Sequence, residues 1–196
     1  MTAPPTAETI IPVIADIFAR RGADEYLGEQ VSMAEHMLQS AHFAERASQS
    51  NEVIAAALLH DIGHYVGEFG TFTMQDTADR FHEDTGAEML SPFLPPRVVA
   101  CVQHHVAAKR YLCATKPEYF RRLSPASIHS LNLQGGPMSE AEAKNFAANP
   151  YLSDILKVRT YDEAGKQPGL ETKTFADYMP MLQNLVDAHC GRERTA

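Results

Sequence analysis

The chain reads as an all-α protein folded around one core. Three observations predict this. Apolar residues recur at helical spacing along most of its length. Serine-proline, proline-proline and serine-x-x-glutamate signals punctuate the sequence where helices should begin. No stretch shows the apolar-polar alternation of a convincing strand. With 196 residues the chain suits a single compact bundle. That domain is expected over 8–190, between a loose arm at 1–7 and a tail at 191–196.

The elements follow in order. Residues 8–21 form an amphipathic pattern ended by Gly22, and a polar loop runs from Ala23 to Gln30. A second helix is expected at about 31–48 and a third at about 51–62, with Asn51 as its N-cap and Gly63 and Gly67 marking its end. The segment 65–81 carries Tyr65, Gly67, Phe69, Gly70, Phe72 and Phe81 without helical period, and reads as a long loop or small hairpin. A helix at about 83–91 stops at Ser91-Pro92, and Pro95-Pro96 opens another at about 97–111. Ser124-Pro125 starts a short helix to about 133, and Gln134-Gly135-Gly136-Pro137 is a turn. Ser139 with Glu142 makes a capping box for the next helix. Helices at 151–166 and 175–189 complete the chain.

Composition narrows the function classes. The formal net charge of -8 argues against nucleic acid as the main partner, since phosphate backbones need a basic face. No apolar run approaches the roughly 18 residues of a membrane span. The three cysteines have no framework spacing, and no signal-like segment opens the sequence, so a cytoplasmic protein with reduced thiols is expected. Nine histidines are the compositional outlier.

The chemistry centres on His60-Asp61, at the end of the apolar run Val53–Leu59. A helix apolar all round is buried, and a carboxylate there needs a neutralising partner. A cation with a neighbouring imidazole ligand meets that need. Further candidates lie on inward faces: His36 with Met33, Met37, Ser40 and Ala44; His82 four residues before Gly86; His105 with Val98, Cys101 and Val102; and Asp162 after Ile155 and Val158. Imidazole and carboxylate without thiolate suit iron, manganese or zinc. His36, His60, Asp61 and Asp162 suffice for one ion. The additional His82 and His105 imply a second, with Asp61 as the bridge.

These residues resemble the HD-domain superfamily of metal-dependent helical proteins, and the intervening histidines resemble its dinuclear branch. The stretches Tyr26-Leu27-Gly28-Glu29, Glu35–Gln39, His60–His64, His105–Leu112, Leu123–Ser127 and Leu133–Met138 are similar to the mixed-valent diiron oxygenases that cleave organophosphonates. The likeness runs from about residue 24 to residue 165. It implies two irons as Fe(II)/Fe(III), with O2 as co-substrate. Oxygenation at C1 of a 1-hydroxy-2-aminoethylphosphonate, or of its N-trimethylated form, would break the carbon–phosphorus bond. The products would be phosphate with glycine or glycine betaine. A separate hydroxylase would supply the 1-hydroxy substrate.

The resemblance also implies site roles. His64, Lys109, Ser127 and Arg159 would contact the phosphonate. Tyr26 would be a removable iron ligand guarding the empty site, and Glu29 would hold the substrate ammonium. A trimethylammonium favours aromatic faces and diffuse negative charge. Tyr65, Phe69, Phe72 and Phe81, with Asp24, Glu25 and Glu29, are the candidates for such a box, which favours the trimethylated substrate. The rival function is that of a phosphohydrolase, in which metal-bound hydroxide attacks phosphorus.

Overall fold

A computed structural model describes residues 4–26, 28–66 and 74–193. Among these residues there are helices and no strands: α1 (Ile10–Arg21), α2 (Met33–Arg46), α3 (Asn51–Leu59), α4 (Gly63–Val66), α5 (His82–Leu90), α6 (Pro96–Thr115), α7 (Pro117–Phe120), α8 (Pro125–Leu133), α9 (Glu140–Phe146), α10 (Leu152–Ala164) and α11 (Phe175–Glu193). The expected loop residues Gly67, Phe69, Gly70 and Phe72, and Leu27 of the Tyr26 turn, lie outside the described residues.

The apolar run of the third helix sets the architecture. Every residue from Val53 to Leu59 is buried, so α3 is wrapped on all sides. It packs against α2, α6 and α10, which also pack on one another in the pairs α2–α10 and α6–α10. α5 lies against α6 and α4 against α5, while α1 pairs with α11 at one flank. None of the described helices is long and apolar enough to cross a membrane.

Several boundaries differ from the sequence reading, each for a physical reason. The N-cap of α3 is Ser50, whose hydroxyl accepts from the Val53 N–H at 3.4 Å; Asn51 is already helical. α3 ends at Leu59, and Asp61 sits in a turn before α4, so His60 and His64 do not share one continuous helix. Tyr65 belongs to α4 rather than to a loop. α6 continues to Thr115 because Pro117, not Arg110 or Tyr111, is the first breaker after its start. α11 reaches Glu193, within the expected tail, and carries Pro180 near its start.

Gly63 is the tightest point of the fold. A Cβ there would stand 1.8 Å from the carbonyl oxygen of His82 and 2.7 Å from the Gly86 nitrogen. The contact is backbone on backbone, so no side-chain rotation relieves it. Gly86 supplies the other half of the approach, with Gly63 N, Ile62 Cγ2 and Val102 Cγ1 each 3.3 Å from its missing Cβ. The close approach is therefore shared by a glycine pair that brings His82 up to Asp61. Gly63→Ala should lower stability by at least about 2–3 kcal/mol, at the upper end of overpacking costs. A urea midpoint equal to wild type would show that this contact has slack.

Candidate metal centre

Six side chains from five elements meet at the centre of the bundle. His36 comes from α2, His60 and Asp61 from the end of α3, His82 from the start of α5, His105 from α6 and Asp162 from α10. All but His82 are buried, and His82 is nearly so.

Hydrogen bonding to the ring nitrogens fixes the histidines. His36 Nδ1 lies 2.9 Å from the Gly165 carbonyl oxygen, His60 Nδ1 2.9 Å from that of Ala57, and His105 Nδ1 2.7 Å from that of Val102. A carbonyl only accepts, so each Nδ1 carries the proton and donates. His82 Nδ1 faces the Glu83 carboxylate at 3.3 Å. This is the outer-shell pattern that orients imidazole ligands. It leaves Nε2 of each ring turned inward. There His36 and His60 approach to 3.0 Å, and His82 and His105 to 3.1 Å. With Nδ1 protonated, each pair brings two Nε2 lone pairs together, which calls for a shared proton or a bound cation between them.

Asp61 divides its two oxygens between the pairs. Oδ2 lies 3.4 Å from His36 Nε2 and 3.3 Å from His60 Nε2. Oδ1 lies 3.2 Å from His82 Nε2 and 3.3 Å from His105 Nε2. Asp162 adds Oδ1 to the first group, 3.5 Å from His36 Nε2. That oxygen is buried and has no hydrogen-bond partner. Ligand atoms about 2.1 Å from a common ion lie about 3.0–3.4 Å apart at right or tetrahedral angles. The donor set thus fits two ions bridged by one carboxylate, the first with four protein donors and the second with three.

Charge is distributed unevenly among the imidazoles, and Asp61 raises His82 against its burial. Burial lowers the His36 imidazole, but Asp162 and Asp61 outweigh it and hold His36 up at about 9. His105, dominated by burial, falls to about 4. Burial would raise both carboxyls; His60 and the other imidazoles hold Asp61 well below the usual range, and Arg159 does the same for Asp162.

The centre opens into a cleft. Asp61, Asp162, His82 and His105 form part of its lining, whereas His36 and His60 do not reach it. Tyr26 lines it as well, its ring stacked on His36 with centroids 3.9 Å apart. Burial, then Asp61 and Asp162, push the Tyr26 hydroxyl well above its ordinary range. His64 lines the cleft stacked on His82 at 3.9 Å, its Nε2 4.0 Å from Asp61 Oδ1. Burial and the neighbouring His82 keep His64 neutral.

Lys109 and Arg159 give the cleft a positive wall. Lys109 is buried, donates to the Ser130 hydroxyl at 2.7 Å, and is drawn down to about 7 by burial and then by Arg159. Arg159 donates to Tyr119 Oη at 2.7 Å and pairs with Asp162 and Glu163. Ser127 and Glu29 are not in the lining. Ser127 Oγ accepts from Lys166 at 2.8 Å, and Glu29 accepts from the Ser124 hydroxyl at 2.6 Å.

The aromatic box is not assembled from its described members. Tyr65 is buried against Phe18 with Arg21 over its ring, and Phe81 is 58% exposed. Neither lines the cleft, and Asp24 is paired with Arg21. The sequence reading missed Ser130, Lys166 and Glu83. Signals existed for all three: Ser130 is one turn past Ser127, Lys166 is four residues past Asp162, and Glu83 adjoins His82.

The HD-domain family profile matches residues 33–139. This chain belongs to the HD-domain family. It is 58% identical over 182 residues to the 1-hydroxy-2-(trimethylamino)ethylphosphonate dioxygenase (glycine-betaine-forming) of Leisingera caerulea, covering 93% of each chain. It is 37% identical over 166 residues to the hydroxymethylphosphonate dioxygenase of Gimesia maris, covering 83% of this chain and 81% of that one. An uncharacterised protein of Acanthamoeba polyphaga mimivirus is 33% identical over 158 residues, with 80% and 72% coverage.

Removing a donor from one group alone tests the division. His105→Ala should bind one ion tightly where the wild type should bind two, with helical circular dichroism preserved. Two ions per chain in that variant, measured by elemental analysis after anaerobic loading and desalting, would rule out His105 as a ligand.

Proposed function

We propose that this chain is a non-haem diiron dioxygenase that uses O2 to cleave the carbon–phosphorus bond of 1-hydroxy-2-(trimethylammonio)ethylphosphonate, releasing phosphate and glycine betaine. One observation carries the reading: a carboxylate divided between two sets of imidazoles opens into the same cleft as a buried lysine. The 58% identity to a dioxygenase of that substrate supports it. Glycine from the primary amine is the neighbouring alternative within the same chemistry.

The reaction balances with one O2. C1 is oxidised to the carboxyl level, one oxygen atom completes the carboxylate, and the other completes phosphate. Bound iron supplies the one-electron chemistry that O2 needs to attack a C–H bond. His36, His60, Asp61 and Asp162 would hold one ion, and Asp61, His82 and His105 the other. Lys109 and Arg159 would balance the phosphonate. Neutral His64 would offer a ring nitrogen beside it. Tyr26 would cover the first group until substrate enters. Ser127 and Glu29, joined by Lys166, would bear on substrate from outside the cleft lining. The C1 hydroxyl requires an earlier hydroxylation by another enzyme. Free Cys101, Cys113 and Cys190 accord with a reducing, cytoplasmic setting.

Hydrolysis of phosphate esters would use the same ligands, but the dioxygenase names of two relatives favour oxygenation. Anaerobically iron-loaded protein should consume one O2 per phosphate released from the hydroxyphosphonate. Oxygen-independent phosphate release from nucleotides, with no O2 uptake on either phosphonate, would move the protein to the phosphohydrolases.

Lys109 adds a pH signature. Its ammonium titrates at about 7 in the free protein, and a phosphonate dianion favours the protonated form. Binding should therefore take up a proton above pH 7. Affinity should be full below 7 and fall as pH rises, by up to about tenfold per unit, until the raised pKa of the complex is passed. Calorimetry at pH 8 in two buffers of different ionisation heat measures the uptake. An uptake that persists in Lys109→Met would assign it elsewhere.

A further inference from the structure

Two residues expected in the cleft, Glu29 and Ser127, stand outside its lining, and one side chain holds both. Lys166 Nζ lies 2.8 Å from Ser127 Oγ, 3.4 Å from Glu29 Oε1 and 3.2 Å from Glu163 Oε1. Its side chain is 11% exposed. A lysine this covered, with one hydroxyl and two carboxylate oxygens around it, is a fixed junction rather than a solvated surface charge.

The junction joins three elements. Lys166 follows Gly165, whose carbonyl fixes His36 and where a Cβ would stand 2.6 Å from Ser40 Oγ. Ser127 lies in the first turn of α8, and its own N–H donates to the capping hydroxyl of Ser124 at 3.1 Å. That same hydroxyl donates to Glu29 at 2.6 Å. Glu29 shares a tight turn with Tyr26, its N–H donating to the Tyr26 carbonyl at 2.7 Å, with Gly28 at φ +69°. On the other side, Glu163 pairs with Arg159 and Arg159 with Asp162. Charges alternate along the path Glu29, Lys166, Glu163, Arg159, Asp162.

We propose that Lys166 is a positioning residue: it fixes the Glu29 carboxylate and the Ser127 hydroxyl at one place, and through Glu163 and Arg159 ties the Tyr26 turn to the buried carboxylate Asp162. Removing the ammonium leaves two carboxylates facing each other and frees the turn whose tyrosine covers His36. The kinetic arm of the test rests on the oxygenase reading; the exchange arm does not.

The test compares wild type, Lys166→Met and Lys166→Arg as full-length, metal-loaded proteins. In Lys166→Met, amide exchange in the 28–32 segment should quicken by about tenfold, with α2 and α3 unchanged. KM for the hydroxyphosphonate should rise by about tenfold with kcat within about twofold. Lys166→Arg should recover most of both. Unchanged exchange at 28–32 in Lys166→Met overturns the proposal. So does a loss of protection throughout the chain in both variants, which is the mark of a merely structural charge. Should wild type turn over no phosphonate, the oxygenase reading fails while the exchange comparison still decides the role of Lys166.

Discussion

Everything at the centre of this protein depends on one buried carboxylate shared by four imidazoles. Asp61 is taken inside by the most apolar helix of the chain, where an uncompensated charge costs several kcal/mol. Its two oxygens face opposite histidine pairs, and each pair is turned toward it by groups that occupy the far ring nitrogens. The fold is arranged around holding those groups in place. Gly165 lets α10 approach α2 closely enough for its carbonyl to meet His36, and Gly63 lets the backbone at His82 press against the turn after Asp61. Two glycines far apart in sequence therefore serve one electrostatic requirement.

Protons alone answer that requirement incompletely. His36 keeps a proton to about 9, while His105 loses its own near 4. Asp61 also raises His82, so each group holds one imidazole that keeps its proton more readily than usual and the asymmetry in protons lies between His82 and His105. The groups do differ as ligand sets. The first group is more buried and richer in donors. The second has three donors, and both its histidines line the cleft, so it has room for exogenous ligands.

The meeting of these six side chains was legible because most of them sit on apolar helical faces, where a polar side chain is costly unless it binds something. His36 among Met33, Met37 and Ala44, and Asp162 after Val158, lie where that pattern puts them. The helix order was legible from caps and prolines for the same local reason. What failed was tertiary. Nothing local marks Gly165 as the acceptor for His36, and the break after Leu59 lies within a stretch that reads as continuous helix. The described aromatics, Tyr65 and Phe81, do not join a box, because richness in aromatics does not fix direction: Tyr65 packs inward on Phe18, and Phe81 turns outward in a left-handed conformation. Glu29 and Ser127 match the family motif in sequence, but their side chains are governed by Lys166, outside the motifs that carry the resemblance.

Lys109 and Arg159 of the cleft wall are not equivalent, and the difference follows from their partners. Arg159 commits donors to Tyr119, Asp162 and Glu163, so it acts on a bound anion mainly through charge while it orients a ligand carboxylate. Lys109 has a serine hydroxyl as partner, a neutral acceptor that is easily exchanged, and burial has already weakened its hold on its proton. An arriving dianion therefore gains more from Lys109 than from Arg159, since it completes a charge that the free protein supports poorly. A pair of divalent or mixed-valent ions would carry more positive charge than Asp61 and Asp162 offset. Ions and lysine would then draw the same anion from opposite sides of the cleft, holding its reacting carbon beside the centre. That balance holds for any such pair of ions, so charge selects the anion and redox chemistry must select the metal.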